Sequence, residues 1–126
     1  MESKKHVLVV DDSSTNLKCT AAILQDTYKL TMLKSGEQAI DYLKGETADI
    51  ILMDINMPDL DGYETMRRIK QNPDNADIPI IFLTSDSDRS SEIKGLQMGA
   101  MDFIRKPIEP EIMRSRIEKT IQIDEV

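Results

Sequence analysis

The sequence is poor in the residues that build covalent or metal staples. Its 126 residues include one cysteine, Cys19, and one histidine, His6. A lone cysteine excludes an internal disulfide, and without a cysteine–histidine cluster there is no zinc site. Long apolar runs are also lacking. No stretch approaches the roughly 20 residues of a membrane span, and no signal-peptide pattern opens the chain. Positive charge is in the minority, with 16 Lys and Arg against 23 Asp and Glu, a net charge of −7. Such a chain is ill-suited to a broad DNA- or RNA-binding face. Repeats and low-complexity segments are missing too. What remains has the length of one domain, residues 1–126, with 40% hydrophobic and 31% charged residues. That balance suits a soluble globular protein and argues against disorder. A cytoplasmic location is the simple expectation.

What is present is organised around Ile50-Ile51-Leu52-Met53-Asp54. Four apolar residues in a row, with no polar alternation, suggest a strand covered on both faces, as in a parallel sheet. It ends in a carboxylate, and in open parallel sheets ligands bind beyond the carboxyl ends of the strands. The chain alternates such runs with helical patterns. His6 to Val10 is the first run, closed by Asp11-Asp12, and Tyr28 to Leu33 is a more alternating, edge-like second. Ile78 to Leu83 is the fourth, closed by Thr84, and Met101 to Arg105 is a short fifth. Between them, Ser13 or Ser14 offers a helix N-cap before a stripe of Leu17, Ala21, Leu24 and Tyr28. Ser35-Gly36-Glu37-Gln38 matches a capping box, with Gln38 reaching back to the Ser35 N–H, and that helix is expected to stop at Gly45. Asp61-Gly62-Tyr63-Glu64 opens a third helix, to about Lys70. A fourth runs from Asp88 to Met98. Pro110 opens a fifth, lined by Ile112, Met113, Ile117 and Ile121. Five strands alternating with five helices predict a single doubly wound (βα)5 parallel sheet, since a barrel needs about 250 residues.

The strand ends then supply Asp11 and Asp12, Asp54, Thr84, and Lys106 followed by Pro107. Three carboxylates without a counter-charge repel one another. At ~4 Å and an effective dielectric of about 20, each pair costs on the order of 4 kcal/mol. A hard divalent cation resolves that repulsion, and all-oxygen ligands with room for water favour Mg²⁺. With Lys106 and the Thr84 hydroxyl, the edge is suited to hold a dianionic phosphoryl group. Taken singly the pieces are weak: Asp11-Asp12 also reads as a turn with capping acids, Asp61-Gly62 as helix initiation, and Phe103 as a core aromatic.

Taken together, these residues resemble the receiver domains of two-component response regulators over nearly the whole chain. The resemblance rests on Val-Val-Asp11-Asp12, on Asp54 followed by Ile-Asn-Met57-Pro58 and Asp61-Gly62, on Thr84-Ser85, and on Lys106-Pro107. It implies a flavodoxin-like sheet of strand order 2-1-3-4-5. It also implies that Asp54 accepts a phosphoryl group from a histidine kinase or histidine phosphotransfer protein. Mg²⁺ would be held by the side chains of Asp12 and Asp54, by the Asn56 carbonyl, and by Asp11 mainly through a water. Lys106 would stabilise the transferring oxygens and Thr84 would bind the phosphoryl group. Phe103 would be a switch aromatic that turns inward as Thr84 moves, altering the surface of helix 4, strand 5 and helix 5 for an output partner or a tethered output domain. A cis Lys106–Pro107 bond is implied as well. Neither nucleic-acid nor membrane contact is expected of this domain. The resemblance also leaves the chain as either a stand-alone receiver or part of a longer protein.

A haloacid-dehalogenase-type phosphatase uses similar groups, but it places an acidic proton donor two residues after the nucleophile. Here that position is Asn56, which cannot transfer a proton. A receiver without catalytic competence would lack the acceptor or an acid, and none is lacking. The chain is therefore expected to catalyse only its own phosphorylation and slow self-dephosphorylation. Asn56 and Asp86, two residues after Asp54 and Thr84, would tune the phosphoryl lifetime. Polar groups at both positions point to loss at the faster end of the family's range.

Overall fold

The computed structural model describes residues 4–85 and 89–125. Strands and helices alternate as β1 (His6–Val10), α1 (Ser14–Leu24), β2 (Lys29–Leu33), α2 (Gly36–Tyr42) and β3 (Ile50–Asp54). They continue with α3 (Gly62–Gln71), β4 (Ile80–Thr84), α4 (Arg89–Met98), β5 (Asp102–Arg105) and α5 (Pro110–Glu125). All pairings are parallel and the strand order is β2-β1-β3-β4-β5. No helix among the described residues is long and apolar enough to cross a membrane.

Strand periodicity splits the core into two layers. Val7, Val9, Ile50, Leu52, Ile81, Leu83 and Ile104 point to one face, where α1 adds Leu17 and Leu24 and α5 adds Met113, Ile117 and Ile121. Leu8, Val10, Ile51, Met53, Ile80, Phe82 and Phe103 point to the other, where α2 and α3 add Ala39, Met66 and Ile69. β3 lies at the centre with all five residues buried. Each such apolar side chain contributes about 1.5–3 kcal/mol on burial, so the strand that ends in Asp54 is firmly held, as is its fully buried neighbour β4.

Helix starts follow the expected chemistry. Ser13, Ser35 and Asp61 are the N-caps of α1, α2 and α3, each accepting from the backbone N–H three residues on. Several details differ from expectation. Gln38 Oε1 accepts from the Lys34 N–H at 2.9 Å, not from Ser35. α2 ends at Tyr42, and the glycine with left-handed backbone is Gly99 (φ 113°), just past α4, not Gly45. Thr20, not Ala21, is the buried partner of Leu17 and Leu24. Ile112 faces outward, because a helix phased to bury Met113 and Ile117 turns residue 112 about 100° away from the core. The strands β4 and β5 each begin one or two residues later than their apolar runs. The start expected at Asp88 lies outside the described residues.

Candidate functional site

The parallel register brings distant carboxyl ends to one edge. β1 delivers Asp11, whose N–H donates to Leu33 O at 3.1 Å, and beside it Asp12. β3 delivers Asp54, β4 delivers Thr84, and β5 runs on into Lys106, whose N–H donates to Thr84 O at 2.7 Å. Asp11, Asp12 and Asp54 each offer a carboxylate oxygen, all within 4.8 Å of one another. Asp11 is 1% exposed and Asp54 5%, whereas Asp12 is solvent-exposed.

One cation serves the two buried acids. Lys106 Nζ lies 3.3 Å from Asp11 Oδ2 and 3.3 Å from Asp54 Oδ1. The second oxygen of Asp11, Oδ1, accepts from the Ser13 N–H at 3.0 Å. With Asp12 included, three carboxylates face a single ammonium, which leaves two negative charges in excess. This all-oxygen, under-neutralised cluster fits a hard divalent cation. The Lys106–Pro107 peptide is cis.

The same crowding shows in the acidity of Asp54, whose pKa rises from 3.8 to about 6. Burial is the main cause. Lys106 and the Asn56 N–H pull it down, and Asp11 pushes it up. Below about pH 4 Asp54 is protonated whether folded or unfolded, so it adds nothing to stability. Between pH 4 and 6 the unfolded chain ionises first, and folding stability falls as pH rises. The whole shift corresponds to about 3 kcal/mol. In chelator-treated protein, urea titrations across pH 4–7 should show this loss relative to Asp54→Asn. A difference between the two proteins that stays flat across the window would count against it.

The loop after β3 is held by close backbone contacts. Asp59 adopts left-handed geometry (φ 67°), and the Gly62 N–H donates to Ile55 O at 2.8 Å. A β-carbon at residue 62 would lie 2.6 Å from Asp54 O and 2.8 Å from Ile55 Cα. Gly62 therefore does more than start α3. Its bare backbone lets the helix close onto the carbonyl of Asp54, a role that Asp61-Gly62 as a capping signal conceals. The only clue in the sequence is a glycine inside the first turn of a helix, where helix formation does not call for one.

Of the other residues singled out, Asn56 is exposed at the head of this loop, Thr84 is buried at the edge, and Asp86 lies outside the described residues. Phe103 lies on β5, opposite Phe82 of β4. It is 4% exposed and packs against Phe82 at 5.7 Å between ring centroids. Its ring is thus already turned inward. His6 sits at the opposite end of the sheet, bonded to Thr31 Oγ1 at 2.7 Å.

Comparison with known proteins points the same way as the geometry. The family model for the response regulator receiver domain matches residues 7–118. Response regulator PleD of Caulobacter vibrioides is 34% identical over 88% of this chain and 25% of its own length. The chain spans between about a quarter and a half of the length of several curated relatives that it matches. Among solved structures, the signal receiver domain of a signal transduction histidine kinase from Syntrophus aciditrophicus superposes with a TM-score of 0.85. The two share 34% identity, covering 94% of this chain and 90% of that one. The receiver domain of a sensor histidine kinase from Pseudomonas aeruginosa, solved with a magnesium ion coordinated in its active-site cleft, superposes at 0.87. It is 29% identical, covering 95% of this chain and 99% of its own.

Proposed function

The chain belongs to the response regulator receiver domains of two-component signalling, and we propose that it is a working member, with Asp54 as the phosphoacceptor. The observation that carries this reading is the single lysine shared by two buried carboxylates, one of them at the end of the central strand. An oxygen of Asp54 attacks the phosphorus of a phosphohistidine on a donor protein. The P–N bond breaks, and the imidazole leaves with the electron pair. Asp12 and Asp54, with the Asn56 carbonyl, would hold Mg²⁺. Both Asp11 oxygens already accept from protein donors, which suits contact through a water. When bound, the cation supplies positive charge against the transferring oxygens. Lys106 supplies a second charge from the protein itself, and Thr84 is placed to bond the new phosphoryl group. A protein of this kind works in the cytoplasm, where kinases hold their ATP.

The output face is the surface of α4, β5 and α5. The large exposed apolar side chains among the described residues, Ile93, Leu96, Met101 and Ile112, lie on α4, on the turn before β5, and on α5. They offer contact area to an output partner or a tethered domain. Incubation with acetyl phosphate and Mg²⁺ tests the assignment. A phosphoryl group mapped to Asp54 is the expected result, and no modification of the wild type would overturn it.

Phosphoryl lifetime is set, in this reading, by the residues two places after Asp54 and two places after Thr84. Asn56 and Asp86 can orient a water toward phosphorus, so Asn56→Leu with Asp86→Leu should slow phosphate release several-fold. A rate unchanged or faster in the double variant would rule out this role.

A further inference from the structure

Helix α4 is anchored differently from its neighbours. The other helices press fully buried apolar side chains into the core, whereas among the described side chains of α4 only Gly95 is buried, with Met98 partly buried against the core at the helix's end. Ile93 and Leu96 are 53% and 50% exposed. Glycine inside a helix is unfavourable relative to alanine, because it gives up more backbone freedom on folding. The geometry supplies a reason for it here. A β-carbon at residue 95 would lie 2.5 Å from Phe103 Cζ, and 3.1 and 3.2 Å from Phe82 Cδ2 and Cε2.

The two phenylalanines pair across β4 and β5, and Tyr63 of α3 meets Phe82 edge-on at 5.3 Å. Lys94, adjacent to Gly95, places its amine 4.5 Å from the centre of the Tyr63 ring. Glu92, one turn earlier, pairs with Arg105 on β5. The helix thus rests on a row of three rings, flanked by one charged contact to α3 and another to β5.

We propose that Gly95 is a positioning residue: the space left by its missing side chain sets both the seat of α4 and the inward position of the Phe103 ring. This holds whether or not Asp54 is the phosphoacceptor.

The test is Gly95→Ala. Helix propensity alone would raise the melting temperature, whereas a filled seat lowers it and drives the Phe103 ring toward solvent. The chain has two phenylalanines, so fluorophenylalanine labelling yields two ¹⁹F resonances, assigned with Phe103→Leu. In the wild type the Phe103 signal should resist a soluble paramagnetic quencher, and in Gly95→Ala it should become sensitive. In the Phe103→Leu background the seat is enlarged, so adding Gly95→Ala should now raise the melting temperature. That comparison serves even if Gly95→Ala alone does not fold. A raised melting temperature in the wild-type background, an unchanged quencher response, or no reversal with Phe103→Leu would overturn the proposal. Acetyl phosphate labelling of the same proteins reads the phosphoacceptor assignment separately, since loss of labelling in the wild type bears on Asp54 alone.

Discussion

Asp54→Asn should abolish phosphorylation by acetyl phosphate and, at neutral pH without metal, should make the protein more stable. Both effects follow from the placement of one carboxylate. Asparagine keeps the volume at the end of β3, so the buried strand beneath it need not repack. It lacks the anionic oxygen that attacks phosphorus, and labelling should fall below detection. The stability gain arises because burial holds the Asp54 pKa near 6. Above that pH the folded protein carries an ionised group that its surroundings disfavour. Removing the charge recovers up to about 3 kcal/mol, a figure from which the favourable pairing with Lys106 has already been subtracted. At pH 4 the acid is already neutral and the gain should vanish. Intact-mass measurement after labelling, with urea titrations in chelator at pH 4 and 7.5, reads both effects. Persistent labelling would move the acceptor elsewhere. A stability loss at neutral pH would show that the lysine pairing outweighs burial.

Much of this site was legible because parallel strands covered on both faces read as unbroken apolar runs. Where such a run stops at a polar residue, that residue sits on the ligand-binding edge. Asp54, Thr84 and Lys106 could be placed together on that ground, although Lys106 and Asp11 are 95 residues apart. The apolar runs alone did not separate the neighbours Asp11 and Asp12, to which only the family resemblance gave different roles. Adjacent residues at a strand end point to opposite sides, so one is buried against Lys106 and the other meets water. The close approaches at Gly62 and Gly95 were hidden for a different reason. A glycine shows what is missing from a position, but only the packed structure shows which atoms fill the space. Ile112 was misjudged because the apolar character of a residue near a helix start does not set the phase of the helix. Met113, Ile117 and Ile121 set that phase together.

Lys106→Met should be the most damaging change to the site that leaves its shape intact. Methionine retains most of the apolar stem, while Asp11 and Asp54 lose the one cation among the described residues that both of them contact. Stripping the partner from buried charges is strongly destabilising. Lys106 keeps 17% exposure, so the expected loss at pH 7.5 without metal is about 2–4 kcal/mol. At pH 5 the loss should shrink, because a proton on Asp54 can replace the ammonium; its folded pKa lies near 6 even with the lysine present, and removing the lysine raises it further. Mg²⁺ should stabilise the variant more than the wild type, since it then supplies the charge that Lys106 had set against both buried acids. Phosphoryl acceptance should nevertheless fall on the order of 10²-fold, the usual effect of deleting one preorganised charge donor at a transition state. Urea titrations with and without Mg²⁺ at both pH values separate the contributions. A loss equal at pH 5 and 7.5 and indifferent to Mg²⁺ would assign the lysine to packing, and the electrostatic account of the edge would have to be abandoned.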